Sequence, residues 1–245
     1  MWDHVTIRAS DRAASRAFYE LALAELGFEI TTAGGHFDEW WDFSTSEARP
    51  DRPVTRGLHL AFVAQSREAV DAWWQALSRA GYRDDGAPGL RAQYSPEYYG
   101  AFVLDPDGNS VEAVHSGERK TGENRIDHMW IRIRDLDASK RFYETVAPFG
   151  DFCLGTEVED RAHFKARNRS FAVVADMPIT EHVHLAFPAP DNATVDAFHR
   201  VLTEAGYRDN GAPGERSEYH RGYYGAFVLD PDGNNVELVC HNRED

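Results

Sequence analysis

The chain carries one stretch twice, as GYRDDGAPGLRAQYSPEYYGAFVLDPDGN at Gly81–Asn109 and as GYRDNGAPGERSEYHRGYYGAFVLDPDGN at Gly206–Asn234. The two copies agree at 22 of 29 positions. Each copy runs directly into a short apolar segment with one carboxylate, Glu112 in SVEAVH and Glu237 in NVELVC. A repeat of this length predicts a duplicated architecture in which other residues were copied as well.

The duplication extends over most of the 245 residues and predicts two domains. The opening DHVTIRASD matches a later DHMWIRIRD, and GLHLAFVA matches HVHLAFPA. Between the copies, the polar segment SGERKTGENR is typical of a linker. We therefore place the first domain at 1–117, the linker at 118–125 and the second domain at 126–245.

The residue patterns predict one order of elements, which occurs twice in each domain. A strand at His4–Ala9 precedes a helix at Arg12–Leu26, and two or three short strands follow. The strand LHLAFV then precedes a helix that Ser66 caps, and strands at 99–104 and 110–115 follow. Because the second half repeats this order, we predict an α+β fold of four tandem βαβββ units with curved mixed sheets.

The composition argues against two classes of partner. With 26 basic and 41 acidic residues, the formal charge of −15 repels the phosphate backbone of nucleic acids and anionic membrane surfaces. Two cysteines at non-equivalent positions do not form a disulfide framework. No apolar run approaches the length of a membrane helix, and the opening residues read as a strand rather than a secretion signal. We expect a cytoplasmic monomer or homodimer that binds a small molecule.

Two histidines and one glutamate recur on corresponding strands of both copies. Each lies on the polar face of its strand, opposite apolar residues that we expect to cover a helix. If the sheets curve, these side chains gather on the concave faces. The candidate metal ligands are His4, His59 and Glu112 in the first copy, and His128, His184 and Glu237 in the second.

This set of side chains is suited to a divalent cation. Two imidazoles and one carboxylate leave coordination positions open for substrate and water, and Fe(II), Mn(II), Ni(II) and Zn(II) all accept such ligands. A cation held in this way can polarise a carbonyl group or stabilise an alkoxide or enediolate. The sequence does not identify the metal.

The pattern resembles the vicinal oxygen chelate superfamily, which includes glyoxalase I, extradiol dioxygenases and bleomycin-resistance proteins. The resemblance covers nearly the whole chain and is carried by the DHxxIR openings, the HLAF strands and the two YYGAFVLDPDGN segments. It implies two glyoxalase/dioxygenase-like domains with metal ligands on the first, fifth and eighth strands of paired units. Because the units of one site are sometimes exchanged in this superfamily, His4 could instead join His184 and Glu237, and His128 could join His59 and Glu112.

The chain departs from two branches of that superfamily. Extradiol dioxygenases usually carry a tyrosine where this chain has Phe102 and Phe227, so ring cleavage by the usual route is not expected. Glyoxalase I has a fourth acidic or amide ligand near the fourth strand, for which the nearest candidates here are Glu39 and Asp42. The intact ligand sets argue against the metal-free bleomycin-binding branch.

Three further residues are candidates for contact with the substrate. His220 lies in a loop of the second copy where the first copy has Ser95, and it could contact substrate or act as an acid. Arg8 and Arg132 lie four residues beyond the first histidine of each copy, so they share the ligand face and could hold a substrate oxyanion or form structural ion pairs.

These observations favour a metal-dependent enzyme. Its substrate would bind through two adjacent oxygen atoms, and the reaction would be of the lyase, isomerase or dioxygenase type. The alternative is a protein that sequesters an aromatic compound between tyrosine-rich walls and the Trp40–Trp41 pair. A third possibility is that only one copy is active.

Overall fold

The computed structural model describes residues 1–117, 124–166 and 169–242, so residues 118–123 of the predicted linker 118–125 lie outside the described residues. Over the described part, the chain forms four helices and fifteen strands. The helices are α1 (Arg12–Glu25), α2 (Arg67–Arg79), α3 (Leu136–Gly150) and α4 (Asn192–Glu204). The strands are β1 (His4–Ala9), β2 (Phe37–Trp40), β3 (Phe43–Glu47), β4 (His59–Val63), β5 (Asp84–Leu90), β6 (Tyr99–Leu104), β7 (Ser110–His115), β8 (Ile126–Ile133), β9 (Cys153–Val158), β10 (Arg161–Ala166), β11 (Arg169–Ala175), β12 (His184–Pro188), β13 (Arg208–Glu215), β14 (Tyr224–Leu229) and β15 (Asn235–Cys240).

The strands form two mixed sheets, which confirms the predicted α+β class. The seven-stranded sheet has the order β13-β14-β15-β12-β1-β3-β2, and the eight-stranded sheet has the order β5-β6-β7-β4-β8-β11-β10-β9. Parallel pairing joins β12 with β15 in one sheet and β4 with β7 in the other, beside antiparallel hairpins. In the first βαβββ segment of the chain, two strands, β2 and β3, follow α1 among the described residues. An isolated bridge joins Thr32 to Glu39.

The chain divides into two compact units whose boundaries fall inside β1 and β8. One unit is Thr6–Trp130, and the other combines Met1–Val5 with Ile131–Asp245. We call them the Thr6–Trp130 unit and the Ile131–Asp245 unit. Because the boundary follows Val5, His4 belongs to the Ile131–Asp245 unit. The domain limits 1–117 and 126–245 describe the sequence copies and remain a prediction.

Each unit has its own aromatic core. In the Thr6–Trp130 unit, Tyr19 and Trp40 pack with Phe43. Trp40 is only 1% exposed, whereas Trp41 is 52% exposed. The prediction that this pair forms a wall of a binding pocket was therefore wrong, because alternation along β2 places Trp40 in the core.

The repeated DPDGN turn is tied to the core through a buried carboxylate. Asp230 accepts backbone N–H groups of Asp232 and Asn234 on one oxygen, and the Tyr143 hydroxyl on the other. Asp105 and Tyr19 make the corresponding contact in the Thr6–Trp130 unit. Burial raises the pKa of both carboxyls against the opposing effect of these hydrogen bonds. The buried acid of each DPDGN turn therefore serves the fold.

Among the described residues, none of the helices combines the length and apolar character needed to cross a membrane.

Candidate metal centres

The parallel pair β12–β15 brings two of the predicted ligands of the Ile131–Asp245 unit together. Ala186 pairs with Glu237, and His184, two residues earlier, shares that face of β12. The Asp3 backbone N–H donates to the Ala186 carbonyl, which places His4 beside the same pair. The Nε2 atoms of His4 and His184 are 3.1 Å apart, and they lie 3.9 and 3.0 Å from Glu237 Oε2.

The Thr6–Trp130 unit holds a second group with the same composition. Ala61 pairs with Glu112 on one side and with His128 on the other, and His59 lies two residues before Ala61. The Nε2 atoms of His59 and His128 are 3.1 and 3.5 Å from Glu112 Oε2. In each group, the possible ligand atoms lie within 4.8 Å of one another.

The structure therefore brings all six predicted ligands into two groups, and it exchanges the first histidine of each sequence copy. His4 lies with His184 and Glu237, and His128 lies with His59 and Glu112. The sequence left this alternative open. This grouping agrees with the division into compact units. The boundary after Val5 leaves His4 in the Ile131–Asp245 unit, and the boundary after Trp130 leaves His128 in the Thr6–Trp130 unit.

One tyrosine orients each glutamate, a role that sequence reasoning missed. The Tyr98 hydroxyl donates to Glu112 Oε1 at 2.7 Å, and the Tyr223 hydroxyl donates to Glu237 Oε1 at 2.7 Å. The second carboxylate oxygen, Oε2, then faces the imidazoles. The signal in the sequence that could have indicated this role is the twice-repeated YYG.

A glycine leaves room for each carboxylate. A Cβ atom at Gly225 would lie 2.6 Å from Glu237 Oε1, and a Cβ at Gly100 would come into still closer contact with Glu112 Oε1. Both glycines precede the AFVL segment of the repeat. Close approach of the carboxylate is therefore a physical reason for glycine in YYGAF.

Burial dominates the electrostatics of both groups. It raises the pKa of Glu112 to about 7, although His128 and the Tyr98 hydrogen bond act in the opposite direction. Burial and the neighbouring glutamate also raise the pKa of Tyr98 and Tyr223, so both phenols stay protonated and act as donors. A buried carboxylate that faces two imidazoles gains from a proton or a cation at that position.

The outer nitrogens of three histidines have acceptors that fix the tautomer. His4 Nδ1 lies 2.8 Å from Asp3 Oδ1, and His128 Nδ1 lies 3.0 Å from Asp127 Oδ1. Ser110 donates its hydroxyl proton to Asp85, so its oxygen accepts from His59 Nδ1. When neutral, each of these imidazoles carries its proton on Nδ1 and points the Nε2 lone pair at the carboxylate.

This arrangement fits a divalent cation. For His4, His59 and His128, the Nε2 lone pair converges with a carboxylate oxygen, and a metal ion satisfies both. His184 Nδ1 instead lies 2.6 Å from the side-chain nitrogen of Asn235. Carboxylates behind metal-binding histidines commonly fix the ring and raise its basicity. His4, His184 and Glu237 would hold one ion, and His59, His128 and Glu112 would hold another.

Aromatic rings surround His59 in the Thr6–Trp130 unit. The ring centres of Phe102 and Trp130 lie 5.8 and 5.4 Å from that of His59, and the Tyr94 ring meets Trp130 edge-on at 5.8 Å. In the sequence alignment of the copies, Thr6 corresponds to Trp130. The two metal groups therefore have the same ligands but differ in the residues near them.

The three remaining candidates lie outside the two ligand groups. The backbone N–H of Arg8 donates to Thr55, and the Arg132 guanidinium lies 3.4 Å from Asp176 in an ion pair. His220 contacts His241, with 2.7 Å between Nε2 and Nδ1. Whether any of them contacts a substrate stays a prediction.

The two acids considered as a fourth ligand are also outside the groups. Asp42 accepts the backbone N–H groups of Arg125 and Ile126, which gives it a structural role. Glu39 lies on β2, where its backbone bridges to Thr32.

Comparison with known proteins agrees with this geometry. A family model described as the Glyoxalase/Bleomycin resistance protein/Dioxygenase superfamily matches residues 2–113 and 125–238. Glyoxalase I from Zea mays has a TM-score of 0.72 at 17% identity, covering 98% of this chain and 92% of its own. A putative dioxygenase from Bacillus subtilis subsp. subtilis str. 168 has a TM-score of 0.66 at 9% identity, covering 99% and 85%. These likenesses concern the fold. No curated protein sequence matches the chain.

Proposed function

Because the chain belongs to the glyoxalase/bleomycin resistance protein/dioxygenase superfamily, we propose that it is a divalent-metal-dependent enzyme. Its substrate is a small molecule that binds the metal through two adjacent oxygen atoms. The observation that carries this proposal is the convergence, in each unit, of two imidazole Nε2 atoms and one carboxylate oxygen within 4.8 Å.

The chain's own residues divide the work between holding the metal and orienting the ligands. Glu112 would offer one oxygen to the ion while Tyr98 holds the other, so the carboxylate does not rotate freely. Asp127 holds His128 in the tautomer that ligation requires. When bound, a divalent cation supplies positive charge that stabilises an oxyanion developing on the substrate.

The Tyr98 hydroxyl serves this group as a hydrogen-bond donor to Glu112 rather than as a source of protons. It lies 3.4 Å from His128 Nε2, at the edge of the ligand group, and its raised pKa keeps the proton on the phenol. Phe102 and Trp130 would pack against an apolar part of the substrate beside His59 and exclude water. We assign lyase, isomerase or dioxygenase chemistry and expect ring cleavage to be the weakest, because Phe102 and Phe227 lack a hydroxyl.

Metal analysis tests the proposal directly. Protein purified without oxygen and then equilibrated with Mn²⁺ or Zn²⁺ should bind two ions per chain. His184→Ala should remove one ion and His59→Ala the other, while His36→Ala, at an exposed histidine that contacts Arg49, should remove neither. Retention of both ions in the double variant of His59 and His184 would refute the metal proposal.

Catechol separates the reaction classes because its two hydroxyl oxygens are adjacent. Fe²⁺-loaded protein in air should give little visible absorbance from cleaved rings, and robust turnover would show that the prediction from Phe102 and Phe227 was wrong. Binding of catechol only after metal loading supports substrate chelation.

The competing proposal is sequestration of an aromatic compound, favoured by Trp130 and Tyr94 beside His59. It predicts tight binding of an aromatic ligand to metal-free protein and loss of that binding in Trp130→Ala. A requirement for metal argues against it.

The proposed chemistry suits a cytoplasmic protein, and that location remains a prediction.

A further inference from the structure

A line of hydrogen bonds runs from the ligand His4 to the half-buried His220. His4 Nδ1 lies 2.8 Å from Asp3 Oδ1, and the other oxygen, Oδ2, lies 2.8 Å from His241 Nε2. His241 Nδ1 then lies 2.7 Å from His220 Nε2. The last nitrogen, His220 Nδ1, donates to the backbone carbonyl of Arg221 at 2.8 Å.

Oxygen acceptors lie at both ends of the histidine pair. A carbonyl oxygen only accepts, so His220 Nδ1 donates to Arg221. At the other end, His241 Nε2 lies 2.8 Å from Asp3 Oδ2, and the carboxylate oxygen accepts from it. The pair is therefore anchored by acceptors on both sides.

The two rings of the pair also contact each other directly. The 2.7 Å separation of His220 Nε2 and His241 Nδ1 is a hydrogen-bond distance. The ring of Tyr223 packs edge-on against His241 and, more obliquely, against His220. His220 therefore holds the His241 ring in place behind Asp3.

The two histidines that lie behind the aspartate occur in one of the two sequence copies. Asp127 supports His128 just as Asp3 supports His4. At the positions that correspond to His241 and His220, however, the first copy has Ser116 and Ser95. The aspartate behind the ligand was therefore kept in both copies, whereas the two imidazoles behind the aspartate belong to the Ile131–Asp245 unit.

We propose that His241 and His220 are positioning residues, which hold His4 for metal binding through Asp3. This inference rests on the proposed metal binding. The pair engages the second oxygen of Asp3, so the first oxygen stays on His4 Nδ1 and the Nε2 lone pair stays directed at the metal position. Loss of such a supporting contact typically weakens metal binding about 10–100-fold. The group in the Thr6–Trp130 unit does not depend on this pair.

Zn²⁺ titration of site-isolated variants tests the inference. In a His59→Ala background, which leaves the His4 group, His241→Leu should weaken Zn²⁺ binding at least about tenfold. His241→Gln should restore most of the affinity, because its side-chain amide can donate to Asp3. In a His184→Ala background, which leaves the His59 group, neither substitution should change the affinity.

Nitrogen-15 NMR of the metal-free protein provides a second readout. The proton on His4 Nδ1 should give a resonance that persists in His241→Gln and is lost in His241→Leu. Unchanged affinity and an unchanged resonance in His241→Leu would overturn the inference, as would an equal loss of affinity at the His59 group. If neither group binds Zn²⁺ in the parent protein, the proposed function fails, and the resonance still decides whether the pair positions His4.

Discussion

Gly225 lies where β14 passes the carboxylate of Glu237, and Gly225→Ala tests the metal group without removing a ligand. A Cβ at this position would lie 2.6 Å from Glu237 Oε1. The backbone of Gly225 does not adopt the left-handed conformation, so alanine introduces no backbone strain of that kind. By restricting the unfolded chain, alanine even favours the folded state.

The size of the displacement decides the expected effect. Ordinary van der Waals contact begins at 3.4 Å, so an oxygen at 2.6 Å must retreat by about 0.8 Å. Metal–ligand distances are held to within about 0.2 Å, so the displaced carboxylate no longer meets the ion at its proper distance. The 2.7 Å hydrogen bond from Tyr223 is strained by the same movement. We expect the Zn²⁺ affinity of this group to fall about 10–100-fold.

Titration calorimetry with Zn²⁺ measures the result, and the duplicated site supplies the control. Gly225→Ala should leave one tight ion per chain, held by the Thr6–Trp130 unit. The matched Gly100→Ala should lose the opposite ion, since its Cβ would press on Glu112. Thermal unfolding checks that both variants remain folded. Two tight ions in folded Gly225→Ala would refute the argument that these glycines make room for ligand carboxylates.

Further predictions concern the buried carboxylates. Since burial raises the pKa of Glu112 to about 7, Zn²⁺ affinity of its group should fall by up to about tenfold per unit as the pH drops below 7, as titration between pH 5.5 and 8 would measure. That pKa lies above the ordinary 4.5, so metal-free protein loses stability as pH rises through 7, and Glu112→Gln should remove this loss in thermal unfolding. Tyr98→Phe should weaken Zn²⁺ binding at that group about tenfold and spare the other. Tyr143→Phe should lower the free energy of unfolding by about 1–3 kcal/mol, because buried Asp230 loses a donor, and urea denaturation without that loss would contradict it.

The strands that carry the glutamates could be read from the sequence almost residue by residue. Tyr99–Leu104 and Ser110–His115 have the predicted limits, since their alternating residues are bounded by the DPDG turn. The prediction for Trp40 and Trp41 was wrong for a different reason. β2 ends at Trp40, and Trp41 lies in the turn after it with a φ of 69°, so its exposure depends on a turn that the two tryptophans do not themselves indicate.

The grouping of the ligands could not be read from the sequence because strand pairing between equivalent units is nearly symmetrical. His4 and His128 begin almost identical strands, DHVTIR and DHMWIR, so local pattern gives no preference for a partner strand. In the structure, β8 pairs with β4, and this pairing places His128 rather than His4 beside His59. Long-range pairing of this kind depends on tertiary packing rather than on local propensity. The role of Tyr98 was missed because local sequence pattern does not show side-chain contacts between strands. Tyr98 lies one residue before β6, and its partner Glu112 lies on β7.

Duplication preserved the ligands and changed their surroundings, and this difference carries a functional consequence. A metal ion responds directly to its ligands, which are alike in the two units, so both groups should accept the same cations. A substrate also meets the side chains around the ion, where one unit has Trp130 beside its ligands. The other unit has the His220–His241 pair behind Asp3. Differences in activity between the two groups should therefore be sought in substrate preference and in the support of His4, rather than in metal identity.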